Sequence, residues 1–346
     1  MEKKDMYDKL NKILNIETRN KELLEELSIS SSLSEIIIES SSFLKKDMLL
    51  CNNSVSLNKS LNEAISFFKS INLKYSNQVQ NIIKNERTNN KPSVLFSKKH
   101  FIGNTPIDFS GVDSDGVVYI DYENTVNDIY SIVHEMTHKL SSQYDTNSRI
   151  KNILGEVTTI TMELLLEYYL KKEKFDSNVE IEKRNINRLI TTYKDAGCIL
   201  FEKDLVDLYL KHGFINENIL INELKSINKS SNKYELYSEE GYNYLKEIIE
   251  NGNLLFRRRQ RYVIGLLFAL YVVNEIAYDN SNILVLDILI DILGKSDLSF
   301  DDDVKVLSDI LPLLHGGKID FNVDDINKLK VLYDYRVNAR GNYRVF

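Results

Sequence analysis

A mainly α-helical fold with one small β-sheet is what this 346-residue sequence predicts, and three observations carry the prediction. Only three prolines and thirteen glycines occur, too few for a turn-rich β-protein. Apolar residues recur at helical spacing before residue 90 and again from Val126 onward. Strand signals are confined to residues 93–122. A hydrophobic content of 43% beside 27% charged residues fits a globular chain long enough to bury a full core.

Taken in order, residues 5 to about 90 read as several amphipathic helices, among them Leu57–Ile71 and Tyr75–Asn85, and Pro92 ends that block. Three short strands follow, Ser93–Phe96, Pro106–Phe109 and Val117–Ile120, the last introduced by the turn signal Asp113-Ser114-Asp115-Gly116. Ile129, Ile132, Val133, Met136 and Leu140 then form an apolar helical stripe, with Asn127 or Asp128 as N-cap. A second helical run opens at Gly155 and reaches about Lys172 on the stripe Ile153, Val157, Ile160, Leu164 and Tyr168. Glu156, Glu163 and Glu167 share a separate face, on which Glu167 reads as solvated. Lys211-His212-Gly213 and Leu314-His315-Gly316-Gly317 read as helix ends. Ser226–Lys233 reads as a loop, and the run Arg257-Arg258-Arg259 as a solvated basic face. The longest apolar run, Tyr262–Val273, is too short to cross a membrane and reads as a buried helix.

Several function classes are disfavoured at this level. A net charge of −7 argues against nucleic-acid binding. Met1–Asp5 has no apolar leader region behind it, and no membrane span is present, so a cytoplasmic location is expected. Cys51 and Cys198 lack disulfide or metal-ligand spacing and read as core thiols in a reducing compartment.

Chemistry concentrates in Ser131–Leu140, which carries His134-Glu135-x-x-His138. Two histidines four residues apart lie one above the other on a helix, so both imidazoles reach one metal ion. The intervening glutamate can take a proton from a water that zinc has acidified. A strand feeding this helix suits the same device. The third ligand comes from the next helix: Glu156, eighteen residues after His138, completes a His-His-Glu set for one Zn²⁺ and leaves a fourth position open. The predicted regions are thus an N-terminal helical region, 1–90, and a catalytic metallopeptidase region, 91–346, which can form one compact domain together.

The pair of segments His134-Glu135-x-x-His138 and Glu156-Val-Thr-Thr-Ile-Thr-Met-Glu163 resembles the gluzincin metallopeptidases of the thimet oligopeptidase and oligoendopeptidase F family. The resemblance covers roughly residues 115–275. It implies a helical zincin-like fold with its small sheet beside the zinc helix. It makes Glu156 the ligand, Glu163 a residue that orients a ligand histidine, and Thr159 the small hydroxyl residue between them. Tyr262, in Arg261-Tyr262-Val263-Ile264-Gly265, is similar to a tyrosine that steadies the oxyanion in that family. Thr137 stands where the family has glycine, Ser141 where it has a further histidine, and the connection to Glu156 is several residues shorter.

The expected activity is zinc-dependent hydrolysis of peptide bonds, with Glu135 as general base and a peptide as the partner. Two other readings compete: a specialised metalloprotease with one target, such as a toxin or processing enzyme, and a non-catalytic helical protein that keeps zinc for stability.

Overall fold

In the computed structural model, residues 3–41, 48–84, 93–97, 100–102, 105–107, 110–112, 116–141, 149–175, 178–223, 239–278 and 323–341 are described. They form a mainly α fold with a small sheet, as predicted. Helices α1 (Lys3–Glu17), α2 (Lys21–Ser41), α3 (Leu57–Ile71) and α4 (Leu73–Lys84) precede the strands. The strands are β1 (Val94–Ser97), β2 (His100–Ile102), β3 (Thr105–Ile107), β4 (Gly111–Val112) and β5 (Val118–Asp121). Then come α5 (Asn127–Leu140), α6 (Arg149–Lys172), α7 (Asn178–His212), α8 (Glu239–Asn251), α9 (Phe256–Tyr278) and α10 (Val323–Gly341). The expected helix Leu57–Ile71 forms with those bounds, and its N-cap Ser56 accepts from the Lys59 N–H.

The chain divides into two units. One comprises Met1–Lys46, Leu189–Ile264 and Lys330–Phe346; the other comprises Asp47–Arg188 and Gly265–Leu329. In the first unit, α2 is tied to the start of α9 by the buried Glu26, which accepts from Arg257 at 2.7 Å and from Gln260. Arg259 donates to Asp195 at 2.8 Å. The basic run expected to be a solvated face therefore has two of its three arginines in ion pairs within this unit. Glu202 is buried at the start of α9 and accepts from the Leu255 and Phe256 N–H groups, the donors that a helix start leaves unsatisfied. Cys198 lies nearby on α7, and burial pushes its thiol up to about 12, so it is inert near neutral pH. Helix α7 ends at His212, and Gly213 takes φ +75°, the left-handed stop expected there.

In the second unit, β5 is the middle strand of the order β1-β5-β4, parallel to β1 and antiparallel to β4. A separate antiparallel pair joins β2 and β3. Val118 and Ile120 of β5 are buried while Tyr119 and Asp121 are half-buried, the alternation of a strand with one covered face. Helix α5 packs on β5, α3 and α6 through Ile129, Ile132, Val133 and Met136, all fully buried. Each such side chain contributes about 1.5–3 kcal/mol of apolar burial, which fixes the rotation of α5. Residues 48–52 run along α7 in this unit. Asn187 accepts from the Leu49 N–H and donates to the Leu49 carbonyl, both at 2.7 Å. Lys183 donates to the Leu50 carbonyl, and the Asn52 N–H donates to Glu180.

Four local expectations need correction. Neither Asn127 nor Asp128 is the N-cap of α5: the helix starts one or two residues earlier than those caps imply, the cap position is Val126, and Asp128 turns back to accept from the Glu123 N–H at 2.9 Å. Thr125 supplies a side-chain acceptor there, to the Asn127 N–H. Helix α6 begins at Arg149, so Glu156 lies two turns inside it. Tyr168 is 60% exposed and leaves the apolar stripe. Glu167 is buried and accepts from Lys171 at 2.7 Å, because Lys171 also pairs with Glu182 of α7 and covers this face. The expected loop 226–233 and the helix end at His315 lie outside the described residues.

Candidate metal centre

Helix α5 presents His134 and His138 one turn apart, with Glu135 buried between them. Their Nε2 atoms are 3.0 Å apart and their rings meet edge to face, with centroids separated by 4.7 Å. Helix α6 brings the buried Glu156 to the same point. One carboxylate oxygen lies 3.6 Å from the Nε2 of His134 and the other 3.9 Å from the Nε2 of His138. Among the described residues, these three side chains form a group placed to hold one metal ion, with donor atoms all within 4.8 Å of one another.

The other nitrogen of His134 is also fixed. Its Nδ1–H donates to Glu163 Oε1 at 2.6 Å, one carboxylate position seven residues beyond Glu156 on α6. This leaves Nε2 as the metal-facing atom. Glu163 Oε2 accepts from both Arg184 and Arg188 of α7. Burial opposes the charge on Glu163, yet the two guanidiniums and His134 hold its carboxyl well below the usual range. Burial likewise opposes charge on His134, but the Glu163 hydrogen bond and the carboxylates of Glu156 and Glu135 outweigh it and raise the ring to about 9. The site therefore attracts positive charge strongly, and a divalent cation would take the place of the proton on Nε2.

Hydroxyl residues in these helices turn inward on the backbone. Thr159 donates to the Glu156 carbonyl at 3.2 Å, and Thr137 to the Val133 carbonyl at 2.7 Å. Threonine thus fits the fully buried position 137 because its own helix accepts its hydroxyl. Ser141 bonds the Thr137 and His138 carbonyls and closes the end of α5. Lys139 donates to the Gly116 carbonyl at 2.8 Å, tying that end to the residues just before β5.

Gly265 of α9 seats α6 at the ligand. A β-carbon there would lie 3.0 Å from Ile160 Cδ1 and 3.1 Å from Glu156 Cβ. Gly265→Ala is expected to push on Glu156, costing about 1–3 kcal/mol of stability and weakening metal uptake. Thermal melts with and without added metal check this, the difference between them shrinking in the variant.

Sequence reasoning thus placed His134, Glu135, His138, Glu156, Thr159 and Glu163 around one helix crossing, and the structure brings them together there. Tyr262 belongs to the first unit, where its hydroxyl accepts from Arg261 at 2.9 Å, whereas the three donors belong to the second. Arg184 and Arg188 had no role in the sequence reading, and Gly265 entered it only as the glycine that follows Tyr262 in the resembling motif. The spacing Arg184-x-x-x-Arg188 put both on one helical face, but an arginine pair of that kind is ordinary on solvated helices.

No membrane-crossing helix is found among the described residues: none is long and apolar enough. No family model matches the sequence, and no curated protein does. Among solved structures, the chain is similar to the crystal structure of a "putative peptidase" from Chlamydophila abortus, with a TM-score of 0.54 at 17% identity. The match covers 98% of this chain and 55% of that one, so this chain spans little more than half its length. What the two share is the fold.

Proposed function

We propose that the chain is a zinc-dependent endopeptidase or oligopeptidase of the gluzincin type, of the kind found in the thimet oligopeptidase and oligoendopeptidase F family. The observation that carries this reading is the convergence of His134, His138 and Glu156 on one point, with Glu135 buried beside them and Glu163 fixing the His134 ring. The donor set fits zinc: bonds of about 2.0–2.1 Å at tetrahedral angles put ligand atoms about 3.4 Å apart. The two imidazole nitrogens are 3.0 Å apart, and one donor atom from each of the three residues lies within 4.8 Å of the others, so small side-chain rotations reach that spacing. The fold shared with a structure called a peptidase agrees with the reading.

Zinc held by these residues would acidify a water and polarise the scissile carbonyl. Glu135 takes the proton released at attack and passes it to the departing amine nitrogen. His134 and His138 stay neutral as ligands, and Glu163 keeps the His134 ring in the tautomer that presents Nε2. Glu156 contributes the anionic donor.

Purified protein is expected to carry about one zinc ion per chain and to cleave members of a mixed peptide library. A chelator should abolish cleavage and added zinc restore it. Folded protein that takes up no divalent metal, or that binds zinc and cleaves no peptide in the library, would overturn the proposal.

A further inference from the structure

We propose that Arg184 and Arg188 are positioning residues for the metal site, holding Glu163 so that it in turn holds the ligand His134. The inference deepens the metallopeptidase reading and rests on it for what the metal does, but it has its own readout.

The geometry divides the Glu163 carboxylate into two jobs. Oε1 is given to the His134 Nδ1–H, and Oε2 is given to the two guanidiniums. A carboxylate held at one oxygen by a single ring can rotate about its last torsion, which is broad and soft. Two donors converging on the other oxygen remove that freedom. Arg184 and Arg188 are four residues apart on α7, so both extend from one helical face to the same atom. Their side chains are only 17% exposed and that of Glu163 only 4%, so water competes weakly for these hydrogen bonds.

Arg184 makes a further contact that a merely charge-neutralising residue would not need. Its guanidinium carbon lies 4.1 Å over the ring of Tyr130, a fully buried residue of α5 one turn before His134. The same side chain therefore grips α6 through Glu163 and α5 through Tyr130. His134 sits on the helix so gripped and bonds the residue so gripped. Rotation of its ring, or sliding of α5 along α6, has to break one of these contacts. The planar fork of arginine suits this double duty; a lysine would supply charge without the flat face.

The test measures Co²⁺ affinity by competition with a chromophoric chelator, together with the visible absorption of the bound Co²⁺, which reports ligand geometry. Arg184→Gln, Arg188→Gln and the double variant are made in the wild-type and in the Glu163→Gln background. Each single change is expected to weaken Co²⁺ binding several-fold, and the double change about 10–100-fold, with an altered absorption band. In the Glu163→Gln background the arginine changes should add little, because their route to the metal is already cut. A double variant with wild-type affinity and spectrum overturns the proposal. So does an equal loss in both backgrounds, which would mean that the arginines act only through the fold. Should the double variant not fold, Arg188→Lys is compared with Arg188→Gln: an intermediate affinity supports positioning, and affinities equal to wild type in both overturn it. Cleavage is scored separately. A wild-type protein that binds Co²⁺ but cleaves nothing ends the peptidase reading while leaving the clamp intact, whereas one that binds no Co²⁺ ends both.

Discussion

Glu135→Gln is expected to lower peptide turnover by about a thousandfold while leaving metal content unchanged. The substitution keeps the size of the side chain and removes its ability to accept a proton. Glu135 is buried and acts on the neighbouring His134, but it is not one of the three grouped donors, so the metal keeps its ligands. The loss should fall on kcat, because the proton moves only in the transition state and the peptide's ground-state contacts are untouched. Steady-state kinetics on one cleaved library member, beside metal analysis of the same sample, checks both halves. Unchanged turnover would remove Glu135 from the chemistry.

Glu156→Gln is expected to abolish metal uptake at concentrations that saturate the wild type. Replacing the anionic donor removes a direct ligand, so the loss should exceed the about 10–100-fold typical of an outer partner. It should also separate the stability of the metal-free protein from that of the loaded one. In the metal-free protein the Glu156 carboxylate supports the charge on the His134 ring, so the metal-free melting temperature is expected to fall slightly at neutral pH. Zinc at a hundred times its dissociation constant stabilises the wild type by about 2.7 kcal/mol, and that increment should vanish in the variant. Calorimetry with and without zinc reads both numbers.

The ligands were legible because their chemistry is written in local spacing. His134 and His138 are four apart, Glu156 and Glu163 seven apart, and a helix converts both intervals into a shared face. The helix Leu57–Ile71 was legible for the same reason. What was illegible depends on contacts between helices distant in sequence. Arg184 and Arg188 reach Glu163 across more than twenty residues, and their sequence neighbourhood looks like any solvated helix. Glu167 with Lys171 looks like an ordinary exposed i,i+4 pair until Glu182 of α7 closes over it. Gly265 was legible only as part of the Tyr262 motif; the approach of α6 shows why no side chain fits there. Asp128 misled because a carboxylate at a helix start has two uses, and here it serves the turn that precedes the helix.

The stretch beside α7 has a consequence for how this sequence can drift. Asn187 and Lys183 grip Leu49 and Leu50 by their peptide groups, and Met48 and Leu50 are 51% and 76% exposed. A hold on amides is indifferent to what hangs from the α-carbon. The residues at 48–50 can therefore change identity without changing the path of the chain. Position 187 has no such licence: aspartate would keep the acceptor for the Leu49 N–H and lose the donor for its carbonyl.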